Sequence, residues 1–343
     1  MPVDDLAVGF IIRYMAEAII NIRHLKKYFQ VHEKEPGLGG SIKSLFARKY
    51  KSVKAVDDIS FEIDEGELVG FIGPNGAGKT TTLKVLSGLL YPTSGFVSVL
   101  GYTPWERKAA FQKQFSLVMG QKNQLWWDLP AIESFILNKE IYEVPDRQYQ
   151  QTLDELVELL DVKDVLKVQV RKLSLGQRMK CELIAALIHS PKILFLDEPT
   201  IGLDVVMQKK MRDFIKEYNQ RRKSTILLTS HYMDDVKELC ERVIIIDHGQ
   251  ILFDGQLAEI IKKFADHKLI TVVFSKKVKE DELKKIGEVK EFDFPKAVIS
   301  VKRSAASLAA AELLQEFPVA DVNIEESQIE DIIREVFTGK NVV

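Results

Sequence analysis

One eight-residue pattern constrains the fold of this chain more than any other feature. The pattern is G-x-x-x-x-G-K-T, and its residues are Gly73, Pro74, Asn75, Gly76, Ala77, Gly78, Lys79 and Thr80. The segment 67–72 before it, apolar after Glu67, is typical of a buried strand, and the leucine spacing over 79–89 is typical of a helix. The alternative, a glycine-rich turn that matches the pattern by chance, is disfavoured by this strand and this helix. The pattern therefore predicts an α/β fold that binds a nucleoside triphosphate at the loop.

The residue types of the loop fit that chemistry. Its glycines let successive backbone N–H groups turn inward around phosphate oxygens, and the following helix points its positive end at the same place. Lys79 can reach the β- and γ-phosphates, and the Thr80 hydroxyl can ligate Mg²⁺. Phosphate and metal would thus be held side by side at the start of one helix.

Composition sets the wider limits. A length of 343 residues predicts about two domains, and 46% hydrophobic with 29% charged residues is ordinary for a globular protein. The net charge of −2 gives no general attraction to nucleic acid. The two cysteines, Cys181 and Cys240, stand far apart in apolar, helical contexts, which predicts reduced thiols in a reducing cytosol. The apolar stretch 6–20 contains Arg13 and Glu17 and is too short to span a bilayer.

Short apolar runs alternate with helical patterns through the middle of the chain. These runs are 115–119, 193–196, 225–229 and 243–246. The alternation predicts a parallel sheet with helices on both faces, in which ligands bind beyond the carboxyl ends of the strands. Because Gly73, Gln121, Asp197 and His231 each follow a predicted strand, we expect them to lie close together.

Changes in pattern predict an N-terminal tail (1–18), a nucleotide-binding domain (19–255) with a helical part at about 123–190, and a C-terminal α+β domain (256–343). The predicted C-terminal elements are strands at 269–274, 289–294, 297–301 and 319–324, helices at 280–286 and after a Ser304 cap, and a last helix opened by the capping box Ser327 to Glu330. This domain has no cluster of catalytic residue types, which favours a structural or regulatory role. The basic segment 41–51 has helical spacing and is either a helix at a membrane surface or a solvated loop helix.

A second constellation is the predicted buried strand that begins at Lys192 and ends in two acids, Asp197 and Glu198. Burying two carboxylates at a strand end is costly unless a cation or a proton transfer uses them. Asp197 is placed to hold Mg²⁺ through water, and Glu198 to polarise an attacking water. The alternative is that both acids cap the turn at Pro199, which the phosphate loop in the same chain disfavours.

Five motifs occur in an order that characterises one family. They are the loop 73–80, the LSLGQ stretch from Leu173 to Gln177, the run 194–198, Gly202-Leu203-Asp204 and Ser230-His231. Over about 19–255 this set resembles the ATP-binding subunit of ABC transporters. The resemblance implies an ATPase with a mostly parallel core sheet, antiparallel N-terminal strands and an inserted helical subdomain. With its C-terminal accessory domain, the chain looks most like the exporter type.

The resemblance also assigns roles to matching positions. ATP would contact the loop and Thr81, with Tyr28 stacked on adenine; Thr80, Gln121 and Asp197 would hold Mg²⁺. Glu198 would be the catalytic base, His231 would contact the γ-phosphate, Asp204 would lie in the loop at a dimer interface, and Ser174, Leu175, Gly176 and Gln177 would contact ATP on the opposite subunit. Leu175 departs from the family, whose commonest signature has a second glycine there, and Phe29 is the alternative to Tyr28.

This arrangement implies a dimer, of identical copies or of two different cassettes, that ATP closes and hydrolysis opens. Trp126 and Trp127 are either core residues or part of a groove for a partner helix. In the resembled family this region, here 121–130, meets a separate membrane subunit, which implies a cytoplasmic protein at the inner face of the membrane. The alternative is a soluble ATPase of ribosomes or nucleic acid, but such relatives usually carry two cassettes or long coiled coils. A small-molecule kinase would leave the signature stretch unexplained.

Overall fold

The computed structural model describes residues 18–33, 49–120, 122–230, 232–264 and 267–326. The chain forms two compact units, Met1–Gly255 and Gln256–Val343. Among the described residues, no helix combines the length and the apolar character that crossing a membrane requires. The predictions for Gln121, His231, most of the 1–18 tail and the helix after Ser327 lie outside the described residues.

A six-stranded sheet forms the centre of the first unit. The strands of this unit are β1 (Ile20–Glu33), β2 (Lys49–Ile63), β3 (Leu68–Ile72), β4 (Ser94–Val99), β5 (Phe115–Met119), β6 (Ile193–Asp197), β7 (Thr225–Ser230), β8 (Arg242–Asp247) and β9 (Gln250–Gln256). The order across the sheet is β5-β6-β7-β3-β8-β9, and the pairs from β5 to β8 are parallel. Strands β6 and β7 are buried along their whole length, as their apolar sequences predict. The predicted fold class is confirmed.

A second, antiparallel sheet has the order β2-β1-β4 and packs on the same core. Strand β2 begins at Lys49, and Tyr50 and Lys51 pair with β1. The predicted helix over 41–51 is therefore wrong at its C-terminal end. A short isolated helix is only marginally stable in water, whereas the long edge of β1 offers backbone hydrogen bonds to every second residue.

The helices of the first unit lie between these strands. They are α1 (Lys79–Leu86), α2 (Ala109–Gln112), α3 (Ala131–Ile141), α4 (Asp146–Leu160), α5 (Leu175–Leu187), α6 (Val205–Arg222) and α7 (Met233–Leu239). The predicted helical region is divided into α3, α4 and α5. Pro130 and Pro145 are the N-cap residues of α3 and α4, and Ser174 is that of α5. Leu153, Leu156 and Leu160 form the buried face of α4.

The second unit is an antiparallel sheet with the strand order β11-β12-β10-β13. Its elements are α8 (Leu257–Phe264), β10 (His267–Phe274), α9 (Glu280–Leu283), β11 (Glu288–Asp293), β12 (Lys296–Lys302), α10 (Ala306–Glu316) and β13 (Val319–Glu326). From β10 onward this is the βαββαβ topology of ferredoxin-like domains. Ser304 does not cap α10: it lies in the 3₁₀ turn Arg303–Ala305, which passes the cap position to Ala305.

Candidate functional site

The phosphate loop joins β3 to α1 and depends on close backbone contacts. A Cβ atom at Gly73 would lie 2.1 Å from the carbonyl oxygen of Ile246, so no larger residue fits there. Gly78 has a φ of 110° and lies against the Ala55 carbonyl, 2.4 Å from where a Cβ would be. The first backbone bond of α1 runs from the Thr82 N–H to the Gly78 oxygen, which leaves the preceding amides without an intrahelical acceptor. The loop therefore presents donors to an anion.

Lys79 is held inside the loop. Its Nζ donates to the carbonyl oxygens of Gly73 at 2.5 Å and Pro74 at 3.0 Å. Burial lowers the pKa of Lys79, and the nearby carboxylates of Glu198 and Asp197 oppose that shift. The ammonium group thus remains next to two carboxylates, at a place where phosphate oxygens would compete for it.

Thr80 and Asp197 bring hard oxygen ligands together. The Thr80 hydroxyl is 2.8 Å and 3.0 Å from the two carboxylate oxygens of Asp197. Thr229, at the end of β7, donates its hydroxyl to Asp197 Oδ1 at 2.7 Å and so fixes the carboxylate. A hydroxyl and one carboxylate suit a Mg²⁺ ion that takes its other ligands from phosphate and water. The part of the chain that the structure describes holds no cluster of three metal-ligating side chains.

Glu198 follows Asp197 in an unusual backbone conformation. Its φ is 54°, a left-handed value that glutamate rarely adopts and that is typical of functional sites. Its N–H donates to the carbonyl oxygen of Thr229 at 3.1 Å, which holds the turn in place. A Cβ at Gly120 would lie 2.2 Å from the backbone carbonyl oxygen of Glu198, so the residue after β5 is in close contact with the same turn. The backbone that carries the Glu198 carboxylate is therefore held by contacts with both β5 and β7.

These residues surround a cleft of about 360 Å³. Its lining residues are Ala55, Asn75, Gly76, Ala77, Gly78, Lys79, Thr80, Thr81, Lys84, Met119, Lys122, Asp197 and Glu198. The predicted residues Asn75 to Thr81 and both predicted acids therefore share one cleft, whereas Gly73 and Pro74 do not line it. Lys84 and Lys122 were not predicted, because neither belongs to a motif and only the fold brings them to the cleft.

Tyr28 does not line this cleft. Its hydroxyl donates to Asp57, and the Lys54 ammonium lies 5.5 Å from its ring centroid. It pairs with Lys54 on β2, next to Ala55 of the cleft wall. Its contact with adenine stays a prediction, and so does the alternative, Phe29.

The signature stretch also lies away from the cleft of its own chain. Ser174 is the N-cap of α5: the Gln177 N–H donates to Ser174 Oγ at 3.2 Å, and the Ser174 N–H donates to Gln177 Oε1 at 3.0 Å. The Leu175 side chain lies 3.0 Å from a Cβ placed at Gly202. Asp204 in turn caps α6 through the Met207 N–H at 2.9 Å. The signature and the Asp204 loop are thus in contact with each other.

Asp235 is a site residue that the sequence patterns missed. It is fully buried on α7, and its Oδ2 accepts hydrogen bonds from the hydroxyls of Thr200 at 2.5 Å and Ser230 at 2.8 Å. Arg212, itself 5% exposed, donates to Oδ1 at 3.1 Å. Asp235 therefore joins the turn after Glu198 to the residue that ends β7.

A second concavity, of about 490 Å³, lies beside the helical subdomain. Trp126 lines it and is 57% exposed, and the neighbouring Trp127 is 48% exposed. The interpretation of these tryptophans as core residues is therefore wrong: of the described residues 122–130, only Leu125 is buried. Arg178 lies with its guanidinium carbon 6.0 Å from the Trp127 ring centroid. We call this concavity the groove.

Comparisons with known proteins find a matching family profile in each of the two units. The profile of the family described as ABC transporter matches residues 56–201, and that of the EvrA-like ABC transporter, C-terminal domain, matches residues 266–325. The ABC transporter ATP-binding protein NatA of Bacillus subtilis (strain 168) is 33% identical over 234 residues, 68% of this chain and 95% of NatA. The methionine import ATP-binding protein MetN of Halalkalibacterium halodurans is 31% identical over 294 residues, 84% of this chain and 86% of MetN.

Among solved structures, the dimeric post-hydrolysis state of the ATP-binding cassette MJ0796 bound to ADP and Pi shares the fold. Its TM-score is 0.58 at 21% identity, over 69% of this chain and 98% of that chain. The relatives align over most of their own length. The residues that match the family profile include the phosphate loop and the two acids at the end of β6, Asp197 and Glu198. The chain belongs to the ABC transporter family, as one of its ATP-binding ATPase subunits.

Proposed function

We propose that this chain hydrolyses ATP in a site completed by a second cassette and thereby drives a membrane subunit. The observation that carries the proposal is the division of the site. Lys79, Thr80, Asp197 and Glu198 share one cleft, whereas Ser174 at the start of the signature lies outside it. The four predicted signature contacts, Ser174 to Gln177, would therefore be made to ATP bound by another molecule.

Within the cleft each residue has a distinct task. Lys79 exchanges its two backbone carbonyl partners for β- and γ-phosphate oxygens, which neutralises their charge. The Thr80 hydroxyl and Asp197 would hold Mg²⁺, which supplies charge neutralisation at the γ-phosphate when bound. Glu198 takes a proton from the attacking water, and the backbone contact with Gly120 keeps its position fixed.

The face that bears Asp204 has the character of an interface. Val205 and Val206 begin α6 with 77% and 68% of their surface exposed, next to an exposed Asp204. Burying these two exposed valine side chains against a partner protein is more favourable than leaving them in water. Ser174 is exposed at the start of α5, so ATP bound to a facing chain would meet the N-terminus of this helix. We assign this face to dimerisation, with either an identical copy or a related cassette.

The groove with its exposed Trp126 is the surface we assign to the separate membrane subunit, which would hold this chain at the inner, cytoplasmic face of the membrane. Export is the direction we propose, from the aromatic loop after β5 and the second unit. The relative MetN is named for import, so the direction needs a transport assay. No observation favours a nucleic-acid substrate over a membrane partner.

Hydrolysis by the Glu198→Gln variant tests the proposal. We expect it to bind ATP normally, to hydrolyse it about 10²–10⁴-fold more slowly, and to accumulate as an ATP-bound dimer in size-exclusion chromatography. The exposed Glu65→Gln is the matched control and should behave as wild type. Hydrolysis at the wild-type rate by Glu198→Gln would show that Glu198 is not the catalytic base. A variant that stays monomeric at saturating ATP would contradict the proposal that two cassettes share the site.

A further inference from the structure

The four-stranded sheet of the second unit has two faces of different character. Side chains of β10 and β12 alternate between these faces, because successive residues of a strand point to opposite sides. One set packs with Leu283 of α9 and with Ala309 and Leu313 of α10, and forms the core of the unit. The intervening set points to the opposite face, which we call the outer face, and the strand registers give the neighbours of each side chain on it.

The middle of the outer face, which we call the floor, consists of five uncharged side chains on the two central strands. They are Leu269, Thr271 and Val273 of β10 and Val298 and Ser300 of β12. Ser300 is buried, and the other four keep part of their surface exposed. Lys296 and Lys302, also on β12, lie at the two ends of the floor. The floor is therefore a short, mainly apolar strip that runs along β10 and β12.

Carboxylates border this floor on both sides. The registers place two acids of each edge strand on the outer face, and all four are exposed. They are Glu291 and Asp293 on β11 and Asp321 and Glu325 on β13. Within the described part of the chain, none of these four acids forms a salt bridge, whereas Glu288 on β11 pairs with Lys290 at 3.1 Å. Both edges of the outer face thus carry negative charge that nothing in the described chain neutralises.

The spacing of the strands matches the width of one helix. Neighbouring strands lie about 4.8 Å apart, so the two edge strands are about 14 Å apart across the floor. A helix with its side chains is about 10–12 Å wide, so a helix lying along the floor would have one flank beside each acidic edge. From Leu269 to Val273 the floor extends about 14 Å, at about 3.4 Å per residue. About nine helical residues, at about 1.5 Å each, would cover that length.

The sign of the edge charges determines which kind of partner fits. Carboxylates on both edges repel the phosphates of nucleic acids and of anionic lipids, and they repel the same face of a second copy of this chain. We propose that the outer face binds an amphipathic helix of a partner protein whose apolar stripe is flanked on both sides by lysine or arginine. The apolar stripe covers the floor, and the flanking cations pair with the four edge acids. All residues of this surface belong to the second unit, and none lines the ATP cleft.

Synthetic peptides test this with the full chain, by isothermal titration calorimetry. The first is a capped, alanine-rich helix of about 18 residues with a leucine stripe flanked on both sides by lysines. The second has glutamate in place of every lysine, and the third contains the residues of the first in a scrambled order without the stripe. We expect the first peptide to bind about tenfold more tightly than the scrambled peptide, and more weakly as salt is added. The glutamate peptide should not bind.

Variants of the chain locate the binding site. Glu291→Gln with Asp321→Asn removes one charge from each edge and should weaken binding of the first peptide about fivefold. Glu282→Gln with Glu316→Gln, on α9 and α10, removes two exposed acids from the helices that pack on the other face, and should bind the peptide as wild type does. Thr271→Lys places a cation in the floor and should abolish binding. Should Thr271→Lys fail to fold, the two double variants, which alter only exposed side chains, still decide the matter.

Equal affinity of the first and scrambled peptides would overturn the proposal, as would equal weakening by the two double variants, because either result indicates general charge attraction. Absence of binding at millimolar peptide concentration would overturn it as well. A nucleotide-free dimer of the chain that Thr271→Lys converts to a monomer would assign the outer face to a second copy instead. ATP hydrolysis should remain at the wild-type rate in every variant, so a failure of peptide binding bears on this surface alone and leaves the proposed function untouched.

Discussion

Replacing Asp235 by asparagine separates the stability of the nucleotide site from its affinity for ATP. Asp235 is fully buried and is the counter-ion of Arg212, which is 5% exposed. The asparagine amide can bond the hydroxyls of Thr200 and Ser230 in either of its two orientations. Because the amide is neutral, however, the buried Arg212 cation loses the negative charge that Asp235 supplies. Breaking one side of a buried ion pair costs about 3–5 kcal/mol. Because Glu238 still bonds Arg212 at 2.9 Å, we expect about 3 kcal/mol, the lower end of that range.

Urea unfolding followed by tryptophan fluorescence measures this loss. All three tryptophans, Trp105, Trp126 and Trp127, belong to the first unit, so the signal reports on the unit that contains Asp235. In parallel we expect ATP affinity to change less than about twofold and kcat to fall about tenfold. The reason is that Asp235 anchors the turn after Glu198 without lining the cleft.

The exposed neighbour Asp234 provides the control, and Asp234→Asn should leave both quantities unchanged. A double-mutant cycle with Arg212→Met isolates the pair, because removing the arginine should recover part of the stability lost in Asp235→Asn. If Asp235→Asn destabilises the chain no more than Asp234→Asn, or if the two substitutions simply add, the ion pair is not what Asp235 contributes.

Three further outcomes follow from the structure. Lys79→Ala should weaken ATP binding at least about tenfold in a titration, whereas the exposed Lys216→Ala should not; unchanged affinity would exclude a phosphate contact. The pKa of Glu182 is raised to about 7 by burial, above its unfolded value, so wild type loses stability as pH rises towards 7. Glu182→Gln should therefore be more stable than wild type by about 3 kcal/mol above about pH 7 and equal to it below about pH 4, and a pH-independent difference in urea unfolding would refute this. Cys181 and Cys240 are buried, and burial raises the pKa of Cys181 to about 12, so an aromatic disulfide reagent should react with neither thiol until the first unit unfolds; rapid reaction of the native chain would contradict that.

The parts of the site that the sequence predicted are formed by residues within short continuous segments of the chain. The phosphate loop needs only a strand, a glycine turn and a helix, all within about twenty residues, and these appear as β3 and α1. Asp197 and Glu198 follow directly from a buried strand. Each of these features is determined by neighbours in the chain, so local rules are sufficient.

The parts that escaped prediction depend on the order of the strands. Asp235 resembles any acid in the first turn of a helix, and only the adjacency of β6 and β7 brings Thr200 and Ser230 to it. Glu182 lies on an apolar helix, and only the fold places it in the wall of the groove beside α3 and the loop after β5. Tyr50 was assigned to a helix because its spacing fits one, but pairing with β1, which starts far away in sequence, determines its structure.

The contact between the signature and the Asp204 loop has a consequence for the order of events. Leu175 lies against Gly202, and a Cβ at Gly176 would lie 2.9 Å from Met207, so these two turns form one rigid block. In a pair of cassettes, the turn that closes over one nucleotide then carries with it the loop that faces the other. If two cassettes pair as proposed, we expect the two half-sites to close in a single step, so that occupancy of one changes the geometry offered to the second.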